Sequence, residues 1–224
     1  MIALTQNDER PMNTPIRQSR NALAMGSCVL WIDSVGGFRL LEGDQFSIGG
    51  LGGDDPADIA VRSAWRTRMA TLTRSGDDFW LKPIASQTLD LGTRSRPVIC
   101  GDVLTLEPQK TGASSSEPRL RLLKPSPLSR TAVLMLDPPH RFVVPVDGVL
   151  LVDKMILIGP DRSNHIRAPR LDAALIMLKR GADWTIRQKD GLSRTMVEGE
   201  RMEIDELVMT IRCESLVNEA GEKK

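Results

Sequence analysis

Short segments with apolar residues at alternate positions recur along most of the chain, each four to six residues long. QFSIG (45–49) and MATLTR (69–74) place an apolar residue at every second position, which is the pattern of a strand that buries one face. Glycine, proline and aspartate separate such segments at regular intervals, as in antiparallel sandwiches. The pattern therefore predicts an all-β chain.

Four of these segments occur twice in the same order. The second copies follow the first by 104, 110, 105 and 105 residues, and matches at nearly constant spacing indicate tandem repeats. The matching pairs are VLWID (29–33) with VLMLD (133–137), FSIGG (46–50) with ILIGP (156–160), GDDFWLKP (76–83) with GADWTIRQ (181–188), and DVLTL (102–106) with LVMTI (207–211).

Two shorter segments do not show by their pattern alone which element they form. RLRLL (119–123) alternates basic and apolar residues and is a candidate last strand of the first repeat. RLDAALIMLKRG (170–181) has helical propensity, but its counterpart in the first repeat alternates apolar and polar residues, so we expect a strand.

The repeats divide the chain into four predicted parts. These are a flexible N-terminal arm (1–24), a first sandwich that includes a Gly-, Ser- and Pro-containing linker tip (25–127), a second sandwich (128–214) and a flexible tail (215–224).

Charge and aromatic content limit the classes of partner. The net charge is +1, so no general attraction to nucleic acid or to an anionic membrane is expected. Tyrosine is absent and aromatics make up 4%, which argues against a stacking platform for single strands. The most apolar stretch, 141–159, carries Asp147, Asp153 and Lys154 and does not suit a membrane helix. Without a secretory h-region at the start, we expect a cytoplasmic protein with no nucleic-acid or membrane partner.

The cysteines and histidines do not form a metal-binding pattern. Cys28, Cys100 and Cys213 lie far apart without a CxxC spacing, and we expect three reduced thiols that act as small buried hydrophobes. His140 and His165 are the only histidines, and both are expected on the surface. Neither a metal nor another cofactor is expected.

Four glycines lie within positions 49–53, directly after a predicted strand. A dinucleotide-binding loop needs the spacing GxGxxG and a following helix, whereas here the spacing differs and the strand-like DIAV (58–61) follows. A P-loop would need Lys and then Ser or Thr where this chain has Asp54 and Asp55. We therefore expect a sharp turn between strands, and a nucleotide binder or enzyme is the weakest alternative.

The order of a strand, an IG turn, a DI pair and an A-x-L segment resembles the forkhead-associated (FHA) domain of the SMAD/FHA superfamily. The resemblance covers residues 28–110, with SIGG, DI (58–59) and GDVLTL, and residues 132–213, with LIGP, HI (165–166) and ELVMTI. It implies two tandem FHA-like antiparallel β-sandwiches and a role in recognising phosphothreonine peptides.

Both repeats depart from the family at the peptide-binding positions. The turn arginine of the family corresponds to Gly50 and Pro160, and its loop serine to Arg66 and Pro169. Prolines lack the N–H that a phosphate would use, so the second repeat is predicted not to bind an anion. We therefore expect a non-catalytic protein–protein interaction module or scaffold in signalling, of unknown oligomeric state. Phosphothreonine-peptide binding through the first repeat is the alternative.

Four residues of the first repeat are candidate site residues. Arg66, Arg68 and Arg94 could supply the charge-assisted donors that a phosphate needs, or they could form a solvated edge that blocks sheet pairing. Trp65 lies among arginines on a predicted loop, a composition typical of protein-binding hot spots. The alternative for Trp65 is that its ring folds back onto the sandwich.

Overall fold

The computed structural model describes residues 27–52, 56–84, 95–106 and 117–214. These residues form eighteen strands, numbered β1 to β18 in chain order, and contain no helix. The predicted all-β class is confirmed. The predicted arm (1–24) and tail (215–224), and part of the predicted linker, lie outside the described residues.

An eight-stranded sheet runs through the middle of the molecule and takes four strands from each repeat. All its neighbouring strands are antiparallel except the central pair. Its order is β17 (Arg201–Ile204), β18 (Leu207–Glu214), β1 (Ser27–Ile32), β2 (Gly36–Glu42), β11 (Gly148–Val152), β10 (Ala132–Leu136), β9 (Arg119–Leu123) and β8 (Val103–Thr105).

Each repeat also forms a five-stranded sheet of its own. The strands expected at 119–123 and within 170–181 are confirmed as β9 and β14. The first of these sheets has the order β4 (Ile59–Ala60), β3 (Gln45–Gly49), β5 (Ala70–Ser75), β6 (Asp78–Pro83) and β7 (Arg96–Val98). The second has the order β13 (Ile166–Arg167), β12 (Met155–Gly159), β14 (Leu175–Arg180), β15 (Asp183–Arg187) and β16 (Ser193–Met196).

Two hydrophobic cores lie on opposite faces of the eight-stranded sheet. The first core is enclosed by the first five-stranded sheet and strands β8 to β11, and the second by the second five-stranded sheet and β1, β2, β17 and β18. In β2, Leu40 belongs to the second core and Leu41 to the first, because successive side chains of a strand point to opposite faces. Strand β11 is buried at all five positions, which explains its continuous apolar sequence GVLLV.

The two repeats exchange their first hairpins. Strands β1 and β2 come from the first repeat, yet β1 pairs with β18 and its side chains pack in the second core. Strands β10 and β11 come from the second repeat, yet β10 pairs with β9 in the first core. The predicted boundary at residue 127 separates the two copies of the strand order, but each core draws strands from both sides of it. Local pattern could not show this, because VLWID and VLMLD offer the same apolar pattern to either core.

A parallel pairing of β2 with β11 joins the two halves of the central sheet. Leu40 lies opposite Leu150, and Leu41 lies opposite Leu151. Both pairs are buried, so the β2–β11 pairing is covered on both faces of the sheet. The two repeats are therefore joined by a buried, hydrogen-bonded sheet.

Two cations, at matching positions of the repeats, bind the exchanged hairpins. Arg74 of β5 donates to the carbonyl oxygens of Leu151 at 2.7 Å and Val152 at 3.2 Å, at the end of β11. Lys179 of β14 follows Arg74 by 105 positions and forms an ion pair with Glu42 at the end of β2. Each five-stranded sheet thus holds the hairpin that the other repeat contributes.

A disulfide joins the first and last strands. Cys28 of β1 and Cys213 of β18 are direct neighbours in the antiparallel ladder and are bonded, whereas Cys100 is free and exposed. The prediction of three reduced, buried thiols is therefore wrong, because the hairpin exchange brings together two cysteines 185 residues apart. Such bonds are typical of oxidising compartments, whereas the sequence suggested the cytoplasm. Cellular location stays a prediction.

Candidate functional site

The glycine turn after β3 packs directly against another stretch of backbone. The N–H of Gly50 donates to the carbonyl of Arg66 at 2.7 Å. A Cβ on Gly49 would overlap the Thr67 carbonyl, and one on Gly50 would overlap the Trp65 carbonyl. The short strand β4 follows the turn, as the sequence predicted. These two glycines are required because the loop that carries Trp65 lies against them.

Trp65 is part of the first core and is 2% exposed. The prediction that its ring is available to a protein partner is therefore wrong, and the alternative, folding back onto the sheet, is what occurs. The backbone contact between the loop and the glycine turn points the indole inward. Burial of an aromatic ring of this size stabilises the fold by about 3 kcal/mol relative to leaving the ring exposed. The buried position of Trp65 is therefore favoured over an exposed one.

Arg66 and Arg68 lie on the loop between β4 and β5, beside the glycine turn, and both are partly exposed. The Nε atom of Arg66 is buried without a hydrogen-bond partner. Arg94 lies outside the described residues. The structure therefore places two of the three predicted arginines on one loop, and their use as phosphate donors stays a prediction.

A cleft of about 440 Å³ next to this loop escaped the sequence analysis. Arg62, His140, Arg141 and the carboxylate of Asp147 are among its lining residues. The backbone N–H of Arg62 donates to the Arg141 carbonyl at 2.8 Å, and its guanidinium donates to the Val143 carbonyl at 3.3 Å. Sequence reasoning missed the cleft because its walls come from different repeats and meet only through the hairpin exchange. The two arginines, Arg62 and Arg141, against the one carboxylate of Asp147 would suit an anionic partner better than a cationic one.

A second cleft, of about 590 Å³, lies where the linker between the repeats meets β12. Arg130, one of its lining residues, donates two hydrogen bonds to Asp153, of 2.7 and 3.2 Å. Since this ion pair is bidentate, both charges are already neutralised by each other. The arrangement joins the linker to the β11–β12 turn, and Arg130 and Asp153 are engaged with each other.

Asp58 and His165, at matching positions of the two repeats, are structural groups. Asp58 accepts hydrogen bonds from the N–H and the hydroxyl of Ser47, at 2.7 and 2.6 Å. His165 accepts the N–H of Leu157 on Nδ1 at 2.9 Å. The prediction that His165 is a surface residue is wrong, since it is 5% exposed. Its burial lowers the pKa of the imidazole to about 4.

Within the described ranges, no three His, Cys, Asp or Glu side chains are grouped closely enough to hold a metal ion. The same part of the chain contains no helix of the length and apolarity needed to cross a membrane.

Comparison with known proteins gave no relatives by sequence or by structure. No family model matches the chain. No curated protein matches its sequence, and no solved structure matches its fold.

Proposed function

We propose that this protein is a non-catalytic scaffold for protein–protein interaction, built from two divergent repeats of the forkhead-associated type. The observation that carries the proposal is the exchange of hairpins. Because each core contains strands of both repeats, and β2 pairs with β11 between them, the repeats cannot separate without breaking a buried sheet. A rigid body of this kind holds the surfaces of the two repeats at a constant distance, which is what a scaffold needs.

Backbone nitrogen-15 relaxation of the full chain tests this rigidity. We expect amides of β5 and of β14 to report one rotational correlation time, as parts of one body. Two clearly different correlation times would mean that the repeats tumble as separate domains, and the proposal would fail.

A second candidate function is phosphothreonine-peptide binding through the first repeat. It is favoured by the placement of Arg66 and Arg68 on the loop that adjoins the glycine turn. Titration with a degenerate phosphothreonine peptide library, beside its unphosphorylated twin, separates the two functions. The scaffold predicts equal signals from both libraries.

A phosphate-dependent signal that salt weakens, and that Arg66→Ala reduces, would favour the second candidate. Arg187→Ala is a matched control, because that arginine is exposed on the second repeat. If Arg66→Ala leaves a phosphate-dependent signal unchanged, the loop arginines are not the site.

A further inference from the structure

The connection between β10 and β11 is much longer than its counterpart in the first repeat. Three residues, 33–35, connect β1 to β2, whereas eleven residues, 137–147, connect β10 to β11. The two hairpins have equivalent places, because each completes the core of the other repeat. Since three residues close one hairpin, the longer connection is not needed to close the other. Connections on a rigid scaffold are where binding residues concentrate, so the extra length suggests a site.

The longer connection reaches across to the first repeat and pairs with it. Phe142 forms an antiparallel bridge with Val61, and both side chains are buried in the first core. Arg62 and Arg141 are the next residues along this bridge and lie opposite each other, with the N–H of Arg62 donating to the Arg141 carbonyl at 2.8 Å. Both arginines are exposed and therefore point away from that core. Opposite residues of an antiparallel pair share one face, so the two cationic side chains are neighbours.

Nothing in the packing explains this pair of like charges. Like charges directly opposite each other destabilise a strand pair. None of the ion pairs between described residues includes Arg62 or Arg141. The connection packs on the first core through Phe142 and Val146, which do not need the arginines. An anion bound between the two guanidinium groups would remove their repulsion and explain why both are present.

The cleft that the two arginines line, described above, has the size and chemistry of a small-molecule site; we call it the Arg62–Arg141 cleft. Its volume of about 440 Å³ lies in the range of such sites, about 300–1,000 Å³. Leu136 and Val146 provide an apolar wall. The carboxylate of Asp147 accepts the N–H of Gly37 at 2.8 Å through Oδ2, and a carboxylate has further acceptor sites for a ligand hydroxyl.

The charge of the ligand follows from the two guanidinium groups. Their planar donors match the oxygens of a phosphate or a carboxylate. A phosphate monoester carries about −1.5 to −2 at pH 7 and balances two arginines, whereas a carboxylate carries one negative charge. The pair therefore favours a phosphate group over a carboxylate.

We propose that the Arg62–Arg141 cleft binds a small molecule that carries a phosphate group. The two guanidinium groups hold the phosphate oxygens. The apolar wall and Asp147 contact the rest of the ligand, which has a hydroxyl group for the carboxylate. The inference does not depend on the proposed function, and its residues differ from Arg66 and Arg68, on which the second candidate function depends.

Titration of the nitrogen-15-labelled full chain with inorganic phosphate, at constant ionic strength, tests the proposal. We expect saturable shifts of the amides of Arg62 and of residues 140–147, with a dissociation constant of about 1 mM or below. Amides of β14, in the second repeat, should not shift. Acetate at the same ionic strength should bind about tenfold more weakly or less, because it carries a smaller charge.

Substitutions of the arginines identify the site. Arg62→Gln and Arg141→Gln should each raise the dissociation constant for phosphate about tenfold or more. The matched control, Arg187→Gln, changes an exposed arginine of the second repeat and should leave the constant unchanged, as should Arg66→Gln. Without phosphate, Arg141→Gln should melt at the wild-type temperature or above it, since it removes a like-charge repulsion. A purely structural arginine would instead lower the melting temperature when it is replaced.

Several results would overturn the proposal. One is the absence of saturable shifts up to about 20 mM phosphate, which is weaker than a built site allows. Another is an affinity for phosphate that neither Arg62→Gln nor Arg141→Gln reduces. Equal affinities for acetate and phosphate would assign the cleft to carboxylates. Much tighter binding of a phosphothreonine peptide than of phosphate, lost in Arg62→Gln, would make a protein the ligand.

Discussion

Asp58 and His165 bind the same backbone position in the two repeats. The carboxylate of Asp58 accepts the N–H of Ser47 at 2.7 Å, and Nδ1 of His165 accepts the N–H of Leu157 at 2.9 Å. Ser47 and Leu157 are the central residues of β3 and β12. A carboxyl group in the first repeat and an imidazole in the second thus accept the same backbone N–H.

The folding stability of the protein should fall as the pH is lowered from about 6.5 to about 4. Burial lowers the pKa of folded His165 to about 4, against an ordinary value of 6.5. Between these values the unfolded chain binds a proton that the folded chain does not bind, so acid favours unfolding. We expect His165 to lower the free energy of unfolding by about 2 kcal/mol between pH 7 and pH 4.5, and urea unfolding at these two pH values measures the difference.

His165→Asn keeps an acceptor for Leu157 and removes the titration, so it should lose less stability on acidification than the wild type. His140→Asn is the control, since His140 is only partly buried. If the wild type and His165→Asn lose the same stability on acidification, groups other than His165 cause the decrease.

Alanine at Gly49 should destabilise the fold severely. Its Cβ would overlap the Thr67 carbonyl, and neither backbone segment can move without disturbing β3 or the Trp65 loop. We expect a loss of about 3 kcal/mol or more, with a change in the fluorescence of buried Trp65. Gly181→Ala is the matched control: Gly181 has φ +63° and open space around its Cβ position, so only about 1 kcal/mol is expected. Similar losses in both variants would mean that backbone crowding is not the cause.

Removing Arg74 should cost more stability than removing its counterpart, Lys179. Arg74 is 7% exposed, and burial lowers the pKa of its guanidinium. Besides the Leu151 and Val152 carbonyls, it faces the rings of Phe46 and Phe79 at 5.8 and 5.4 Å. Arg74→Ala leaves buried carbonyls without donors, so we expect a loss of about 3 kcal/mol.

Lys179→Ala removes a half-buried ion pair with Glu42 and a contact with the Trp184 ring, so about 1 kcal/mol is expected. Chemical unfolding of the two variants measures both losses. A larger loss for Lys179→Ala would contradict this ranking of the two contacts.

Reduction of the Cys28–Cys213 disulfide should destabilise the protein. The bond closes a loop that spans nearly the whole described chain, which limits the entropy of the unfolded state. Cys28→Ser with Cys213→Ser should lose about 3 kcal/mol and become insensitive to dithiothreitol. Cys100→Ser should retain wild-type stability and its response to reductant, because Cys100 is exposed and free. An unchanged melting temperature on reduction of the wild type would count against the bond.

Prediction from the sequence succeeded where the determinant was local. Alternation in QFSIG and MATLTR identified β3 and β5, and comparison of the repeats identified β14 as a strand despite its helical propensity. Contacts between distant segments caused the errors. Trp65 was expected on a loop surface, but the glycine turn holds that loop so that the indole points inward. His165 was expected at the surface, but burial beside β12 makes it an acceptor for Leu157.

The sequence by itself determined the all-β class and the two copies of the strand order. Both follow from residue-by-residue alternation, which acts over a few positions. The need for glycine at Gly49 and Gly50 comes from a tertiary contact, because the loop that carries Trp65 lies against them. Only the tertiary structure decided which hairpin completes which core, and with it the disulfide between Cys28 and Cys213. The reason is that the two hairpins bury equivalent apolar faces, so their local patterns are equally compatible with either partner. The choice between them depends on long-range contacts, such as the β2–β11 pairing and the hydrogen bonds of Arg74.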